Sequence, residues 1–501
     1  MKKQHYLYIA TVMAVTSFSS CKKDFLTQTP EATLTGQNFY KTEAQIRDAV
    51  NGAYNPVVQM GSGNVQNRSG LWIFGELRSD NTTFQYNATN RGNEQVWFID
   101  KFIFGSTYEP IRNFWLQNYQ GIFRNNDVLA HIDAVTMDAA KKNQYTGEMK
   151  FLRAFYYFHL VRQFGGVPLR LEPTSSPEGA KSGGRATVDQ VYTQIIADLM
   201  DAASKLPSKY TAATDAGRAT EGAARTLLAK VYMTQKKWNE ALTELRKVEK
   251  LGYSLEANYA DIFSPKNKNG KESIFEIQYV GNTPALASNY LYNFAPLDTR
   301  AVTQDPSNNC NGFYIPTTDL LNAYEAGDKR KDASIGTLTY QPFGGPSVTI
   351  PYVKKYNYGF VTPGNTDVNF PVLRYADVLL MIAECLNETG NPGDALTYLN
   401  MVHAHARTGL SSIGAAGQAQ LRDLIMKERQ IELAFENHRW YDLVRTGKAV
   451  EVMNAHGARQ KTERPNTEVE PNSYQVTPEK LLLPIPQTEV TLDQLDQNPG
   501  Y

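Results

Sequence analysis

The sequence predicts a mainly α-helical fold: a tetratricopeptide-like scaffold of about four helix pairs, carrying long irregular loop insertions and a few short strands. Three observations predict it. Residues 223–250 (AARTLLAKVYMTQKKWNEALTELRKVEK) place Leu228, Ala229 and Tyr232 on one helix and Ala241, Leu245 and Val248 on a second. Small residues at this spacing let two antiparallel helices approach closely. Residues 379–402 (LLMIAECLNETGNPGDALTYLNMV) repeat the pattern with Ile382, Ala383 and Leu386, then Ala395, Leu399 and Val402. The same 154-residue offset separates Leu228 from Ile382 and Ala241 from Ala395, so the match holds across both helices. Finally, Gly-, Pro- and Ser-rich stretches interrupt the helical segments at intervals too long for simple turns.

The elements follow in chain order. Lys2, Lys3 and His5 precede a short apolar run from Tyr6 to Phe18 and then Ser19-Ser20-Cys21, the layout of an export signal over residues 1–20. A cysteine after two small residues points to lipidation at Cys21, which would become the mature N-terminus; a secreted soluble protein with a chance cysteine is the alternative. The run is about half the roughly 20 residues that a spanning helix needs, whereas several acyl chains on one residue give stable attachment. Residues 43–57 pair with 110–133 as a looser helical unit, and 148–163 with 187–206, where Val188, Val191, Ile195, Leu199, Ala202 and Leu206 form an apolar stripe. Residues 165–186, most of 61–93, 281–318 and 335–370 read as loops, and ESIFEIQYV (272–280) alternates like a short strand. The expected division is an N-terminal half over 21–250 and a C-terminal half over 251–501. Long insertions on a helical scaffold are where function tends to sit.

Composition narrows the function. With 51 Lys plus Arg against 51 Asp plus Glu the net charge is zero, and no basic stripe is available for a nucleic acid. Beyond Cys21 only Cys310 and Cys385 remain, which excludes a disulfide scaffold and leaves a single bridge open. Cys385, in the apolar run MIAEC, fits a small buried hydrophobe better. The 29 tyrosines within an 11% aromatic content suggest exposed flat rings that grip sugars or similar ligands.

The motifs of catalysis are missing: no H-E-x-x-H, G-x-S-x-G or complete G-x-x-x-x-G-K-[ST] occurs. His403 and His405, two residues apart on a helix, point away from each other and cannot readily share a metal. DPSNNCNG (305–312) lacks the glycine that a calcium loop needs at its sixth position and reads as a turn. Glu428, Glu432 and Glu436 recur at i, i+4 and i+8 with Arg429, Arg439 and Arg445 nearby, and read as an ion-pair ladder on a helix surface. A glycosidase pair would have to flank a cleft instead. No cofactor, metal or catalytic residue is expected.

Several segments together resemble the SusD/RagB family of outer-membrane lipoproteins. They are FLTQTPEATLTGQNFYKTEAQIRDAVNGAY near the start, GEMKFLRAFYYFHLVRQFGGVPL (147–169), LLNAYEAGDKRKDASI (320–335), VLRYADVLLMIAECLNE (372–388), LIMKERQIELAFENHRWYDLVRTGK (424–448) and the closing LLLPIPQTEVTLDQLDQNPGY. The resemblance implies a non-catalytic protein at the cell surface that binds an oligosaccharide and passes it to a TonB-dependent, SusC-like transporter. Peptide or other nutrient cargo is the near alternative and a helical glycan hydrolase the distant one. It also implies that the family's ligand loops correspond to 75–98 and to the insertion after the 272–280 strand. Trp115, Trp238 and Trp440 sit in helical patterns and read as core, leaving Trp72 and Trp97 to bracket the first loop region. The candidate ligand residues are therefore Asp80, Asn81, Tyr86, Asn87 and Trp97, with Tyr290, Tyr292 and Phe313 as a second group. Glu148 and Arg153 are expected to pack helices, and Pro484, Pro486 and Pro499 to stiffen a terminal segment that folds back.

Overall fold

A computed structural model describes residues 39–62, 70–85, 94–174, 183–283, 286–297, 310–341, 345–356, 365–464 and 468–501. The leader and Cys21 lie outside these residues, as do Tyr86 and Asn87.

Nine helices make the scaffold: α1 (Glu43–Ser62), α3 (Glu109–His131), α4 (Ala139–Phe164), α5 (Val188–Lys205), α6 (Glu221–Thr234), α7 (Trp238–Glu249), α11 (Tyr375–Glu388), α12 (Pro392–His403) and α13 (Gln418–Glu432). They pack as α1 on α3, α4 on α5, α6 on α7 and α11 on α12, which are the four expected pairs. Contacts of α3 with α4, α5 with α6, α7 with α11 and α11 with α13 join the pairs into one stack. The repeat offset is borne out in burial: Leu228 and Ile382, Ala229 and Ala383, Ala241 and Ala395, Leu245 and Leu399, and Val248 and Val402 are all core residues. The two sequence halves share one continuous core running from Ile46 to Leu495.

Capping sets several helix starts. The Asp138 carboxylate accepts from the Lys141 N–H at 3.0 Å, and Thr187 and Gln190 form a capping box on α5. Helix α4 is buried on nearly all sides, and its buried Glu148 and Arg153 are paired. Arg153 clasps Asp198 of α5 with two bonds of 2.8 and 2.7 Å and donates to Asn126 of α3. Glu148 accepts from Tyr54 of α1 and from Arg218. The terminal segment folds back as expected: the Leu483 N–H donates to the Gln163 carbonyl and Asn498 donates to those of Phe164 and Leu483.

The loop regions hold more structure than their composition suggested. A π-helix at Ile73–Leu77 lies in the 61–93 segment and α8 (Tyr290–Phe294) in the 281–318 segment, while α2 (Glu94–Asp100), α9 (Thr318–Ala323) and α10 (Lys329–Ser334) flank the loops. There are three antiparallel strand pairs among the described residues: β1 (Thr82–Thr83) with β3 (Ile315–Pro316), β2 (Ser273–Ile277) with β6 (Phe370–Arg374), and β4 (Ile335–Tyr340) with β5 (Val348–Val353). β2 is buried on both faces from Ile274 to Ile277, so its alternation did not reflect a wet and a dry side. Three further helices, α14 (Arg439–Arg445), α15 (Ala449–Glu463) and α16 (Gln487–Leu492), complete the chain. Cys310 and Cys385 are both buried and are not joined to each other, which closes the question of a bridge.

Candidate functional site

The loop face is built from the π-helix outward. Gly75 lies so close to the turn after α13 that an added Cβ would sit 2.7 Å from the Asn437 carbonyl oxygen. That turn contains Phe435 and Asn437 at φ of 67° each, a left-handed conformation uncommon for side chains of their size. It is held from several sides: Lys355 donates to the Ala434 carbonyl and to Glu436, Arg374 forks onto Glu436, and Glu76 accepts from the Phe435 N–H.

Asp80 and Asn81 follow the π-helix, and the structure turns both inward. Arg439 grips the Asp80 carboxylate with two bonds of 2.8 Å, and Gln430 donates to Asn81 at 2.8 Å. Burial alone would raise the Asp80 carboxyl, but the Arg439 guanidinium outweighs it and holds the group below the usual range. Asn81 donates in turn to Glu76, whose carboxyl burial pushes up to about 7. These residues anchor the loop to α13 and α14; their polar atoms are already committed.

The expected stacking rings are corrected in the same way. Trp97 is 4% exposed and packs 4.9 Å from Phe98. Tyr290 is 1% exposed, stacks on Phe370 at 4.9 Å and donates its hydroxyl to the Gly61 carbonyl. Phe313 is 3% exposed between Trp72, at 5.6 Å, and Phe84, at 5.1 Å. With Phe294 and Tyr314 only 4.3 Å apart, these rings form an aromatic underlayer beneath the loops. Burial of 150–250 Å² per ring explains much of the aromatic excess without any ligand. These three rings have no face free for a sugar.

Tyr292 is the described candidate that stays near the surface. It is half-buried against Ala295 and Cys310, together with Tyr352 of β5. Tyr352 lies over Gly336 of β4, where a Cβ would come within 2.4 Å of its ring. Tyr340, at the end of β4, donates to the Leu297 carbonyl at 2.7 Å and accepts from Gln85 at 3.1 Å. Tyr292 and Tyr352 thus pack on one small cluster, and Tyr340 with Gln85 lies four residues further along the same hairpin. Tyr340 and Tyr352 were hidden in a segment that read as loop; the alternation in the sequence IGTLTY, followed by VTIPYV, was the signal for the hairpin.

The glutamate ladder is a correction of another kind. Glu432 closes α13 and Glu436 lies beyond its end, so the three share no helix surface. All are buried, within a network with Arg330, Arg374, Arg407 and Lys355. Burial disfavours the Glu432 carboxylate, and Arg407, Arg374 and Arg330 more than reverse this, so its pKa falls well below normal. Arg429, Arg439 and Arg445 pair elsewhere, with Asp377 and Asp442, with Asp80, and with Glu384 and Asp442. His403 is a packed position bonded to Glu428. Among the described residues no cluster of three or more His, Cys, Asp or Glu side chains could hold a metal ion.

Comparison with known proteins agrees with this architecture. Residues 24–233 match the profile described as "Starch-binding associating with outer membrane", and residues 333–501 match that of the SusD family. SusD-like protein P2 of Formosa agariphila is 27% identical, the alignment covering 100% of both chains. A solved laminarin binding SusD-like protein is 29% identical with a TM-score of 0.75, covering 92% of this chain and 100% of that one. Surface glycan-binding protein A from Bacteroides uniformis is 26% identical with a TM-score of 0.76, covering 91% and 99%.

Proposed function

We propose that this chain, which belongs to the SusD/RagB family, is a non-catalytic lipoprotein of the outer membrane surface that captures an oligosaccharide and delivers it to a partner TonB-dependent transporter. The observation that carries the reading is the full-length similarity to a laminarin-binding relative, joined to a hairpin along which half-exposed Tyr292, Tyr352 and Tyr340, with Gln85, are set out. Half-exposed phenol rings offer an apolar face to sugar C–H groups, and the bonds of the Tyr340 hydroxyl to Leu297 and Gln85 hold its ring in place. Among the described residues, the clustered Glu272, Glu428, Glu432 and Glu436 are neutralised by arginine and lysine, which supports binding over hydrolysis. The matched profile's outer-membrane association supports the location, with Cys21 as the proposed anchor.

Calorimetry of the mature protein against laminarihexaose, maltohexaose, cellohexaose and xylohexaose tests this. Binding of at least one without turnover is expected, weakened in Tyr292→Ala and Tyr340→Ala. Release of reducing ends would move the protein to the hydrolase class. Silence toward all glycans with heat from a peptide mixture would transfer the fold to peptide cargo.

A further inference from the structure

Among the described residues Phe123 is the one aromatic side chain that is truly exposed, at 45%. It lies on α3, far along the chain from the loops discussed above. With half-buried Tyr119 it repeats at i and i+4, so the two rings line one flank of the helix over roughly 6 Å at 1.5 Å per residue, in front of a Trp115 that is only 2% exposed. They form one wall of an open groove of about 270 Å³. A water needs roughly 10–15 Å³ on this measure, so the groove admits a ligand many times that size.

The opposite wall is polar. Arg170 comes from the segment after α4, and Glu489 and Asp493 come from α16 and its end. These groups are fixed in place. Arg170 pairs with Asp493 at 3.2 Å, its backbone N–H meets the Tyr157 hydroxyl at 2.6 Å, and its carbonyl accepts from Asn126. Tyr119 is pinned by its hydroxyl, which donates to the Pro168 carbonyl at 2.7 Å and leaves the ring's position set. Trp115 backs Tyr119 at a centroid separation of 5.0 Å.

A flat apolar wall facing charged hydrogen-bonding groups is what a pyranose needs: C–H faces for the rings, hydroxyls for carboxylates and guanidinium. The centre of a protein–protein contact is instead depleted of charge. We infer that the groove between α3, the segment around Arg170 and α16 is a second sugar-ring subsite, separate from the tyrosine face and suited to one or two neutral pyranose units. The inference rests on the oligosaccharide-capture reading and adds a site to it.

Saturation-transfer NMR on the full mature chain, with the methyl glycosides of glucose, galactose, mannose and xylose as probes, tests it. At least one glycoside should receive saturation on its ring protons, and Phe123→Ala should weaken that binding about tenfold, as loss of one stacking contact implies. Glu489→Gln should weaken it in a protein that melts normally, and the loss caused by Phe123→Ala should appear equally in a Tyr340→Ala background. If the hexasaccharides bind and Phe123→Ala changes nothing, the groove is not a subsite while capture at the tyrosine face stands. If neither hexasaccharides nor glycosides bind, both readings fail. If Phe123→Ala alters only co-purification with a membrane partner, the groove is a protein contact and the inference is overturned.

Discussion

Glu76 shows how much one side chain can carry. Both of its hydrogen bonds, from Asn81 and the Phe435 N–H, arrive at Oε1, while Oε2 is buried without a partner. Burial raises its carboxyl from 4.5 to about 7. A carboxyl whose folded pKa exceeds its unfolded one stabilises the fold below the unfolded value and loses that contribution as pH rises through the folded one. Glu76→Gln keeps the acceptor and removes the charge, so it should stabilise the protein by about 3 kcal/mol at pH 8 and be near neutral at pH 4.5. Denaturant titrations at the two pH values measure this. Trp97 makes the complementary case. Because its indole is core, Trp97→Ala should lower stability by about 3–5 kcal/mol and leave the glycan affinity of the folded protein unchanged. Melting and calorimetry on the same preparation separate the two effects. The sequence nominated Asp80, Asn81, Trp97, Tyr290 and Phe313 as ligand residues, and the structure buries all five. Loop position and residue type are readable from a string, whereas the direction a loop residue faces depends on partners such as Arg439, Gln430 and Phe370, hundreds of positions away or less.

At the scale of elements, helices were the legible part. The 3.6-residue pattern and the small-residue positions of α6, α7, α11 and α12 depend on local neighbours and survive translation into structure. Of the strands only β2 was read, from the alternation of ESIFEIQYV; the pairings were not, because β2 pairs with β6 nearly a hundred residues later and β1 with β3 across more than two hundred. The network joining β6 to α13 was equally unreadable, since Arg374 collects Glu272 from about a hundred residues before it and Glu432 and Glu436 from about sixty after it. Replacing it should be severe: Arg374→Met leaves three buried carboxylates short of a partner and is expected to cost about 3–5 kcal/mol or more. The double variant Arg374→Met, Glu436→Leu should recover part of that loss in urea unfolding.

Acid tests the molecule as a whole. Burial lowers the His438 imidazole to about 3 and holds His159 well below 6.5. Each therefore stabilises the fold above pH 6.5 and loses that contribution as pH falls. Glu76 changes in the opposite sense between 7 and 4.5, partly masking the loss. The carboxylates of Asp377, Asp442 and Glu432, held low by their cationic partners against burial, add further loss below about 4.5. The wild-type curve should fall steeply below pH 4.5, and in Glu76→Gln the fall should begin nearer 6.5; thermal melts across pH 3–8 read both. For the tether, Cys21→Ser should shift the protein from the membrane pellet to the soluble fraction, with intact mass reporting the lost acyl chains.

The back-folded C-terminus has a consequence for truncated chains. Gln163 and Phe164 end a helix in the middle of the core, yet their carbonyls are capped by Leu483 and Asn498, close to the last residue. A chain cut before Leu483 would leave the Gln163 carbonyl without that donor and the Phe164 carbonyl with Arg185 alone, so the end of this helix should fray, at about 0.5–1.5 kcal/mol for each bond lost.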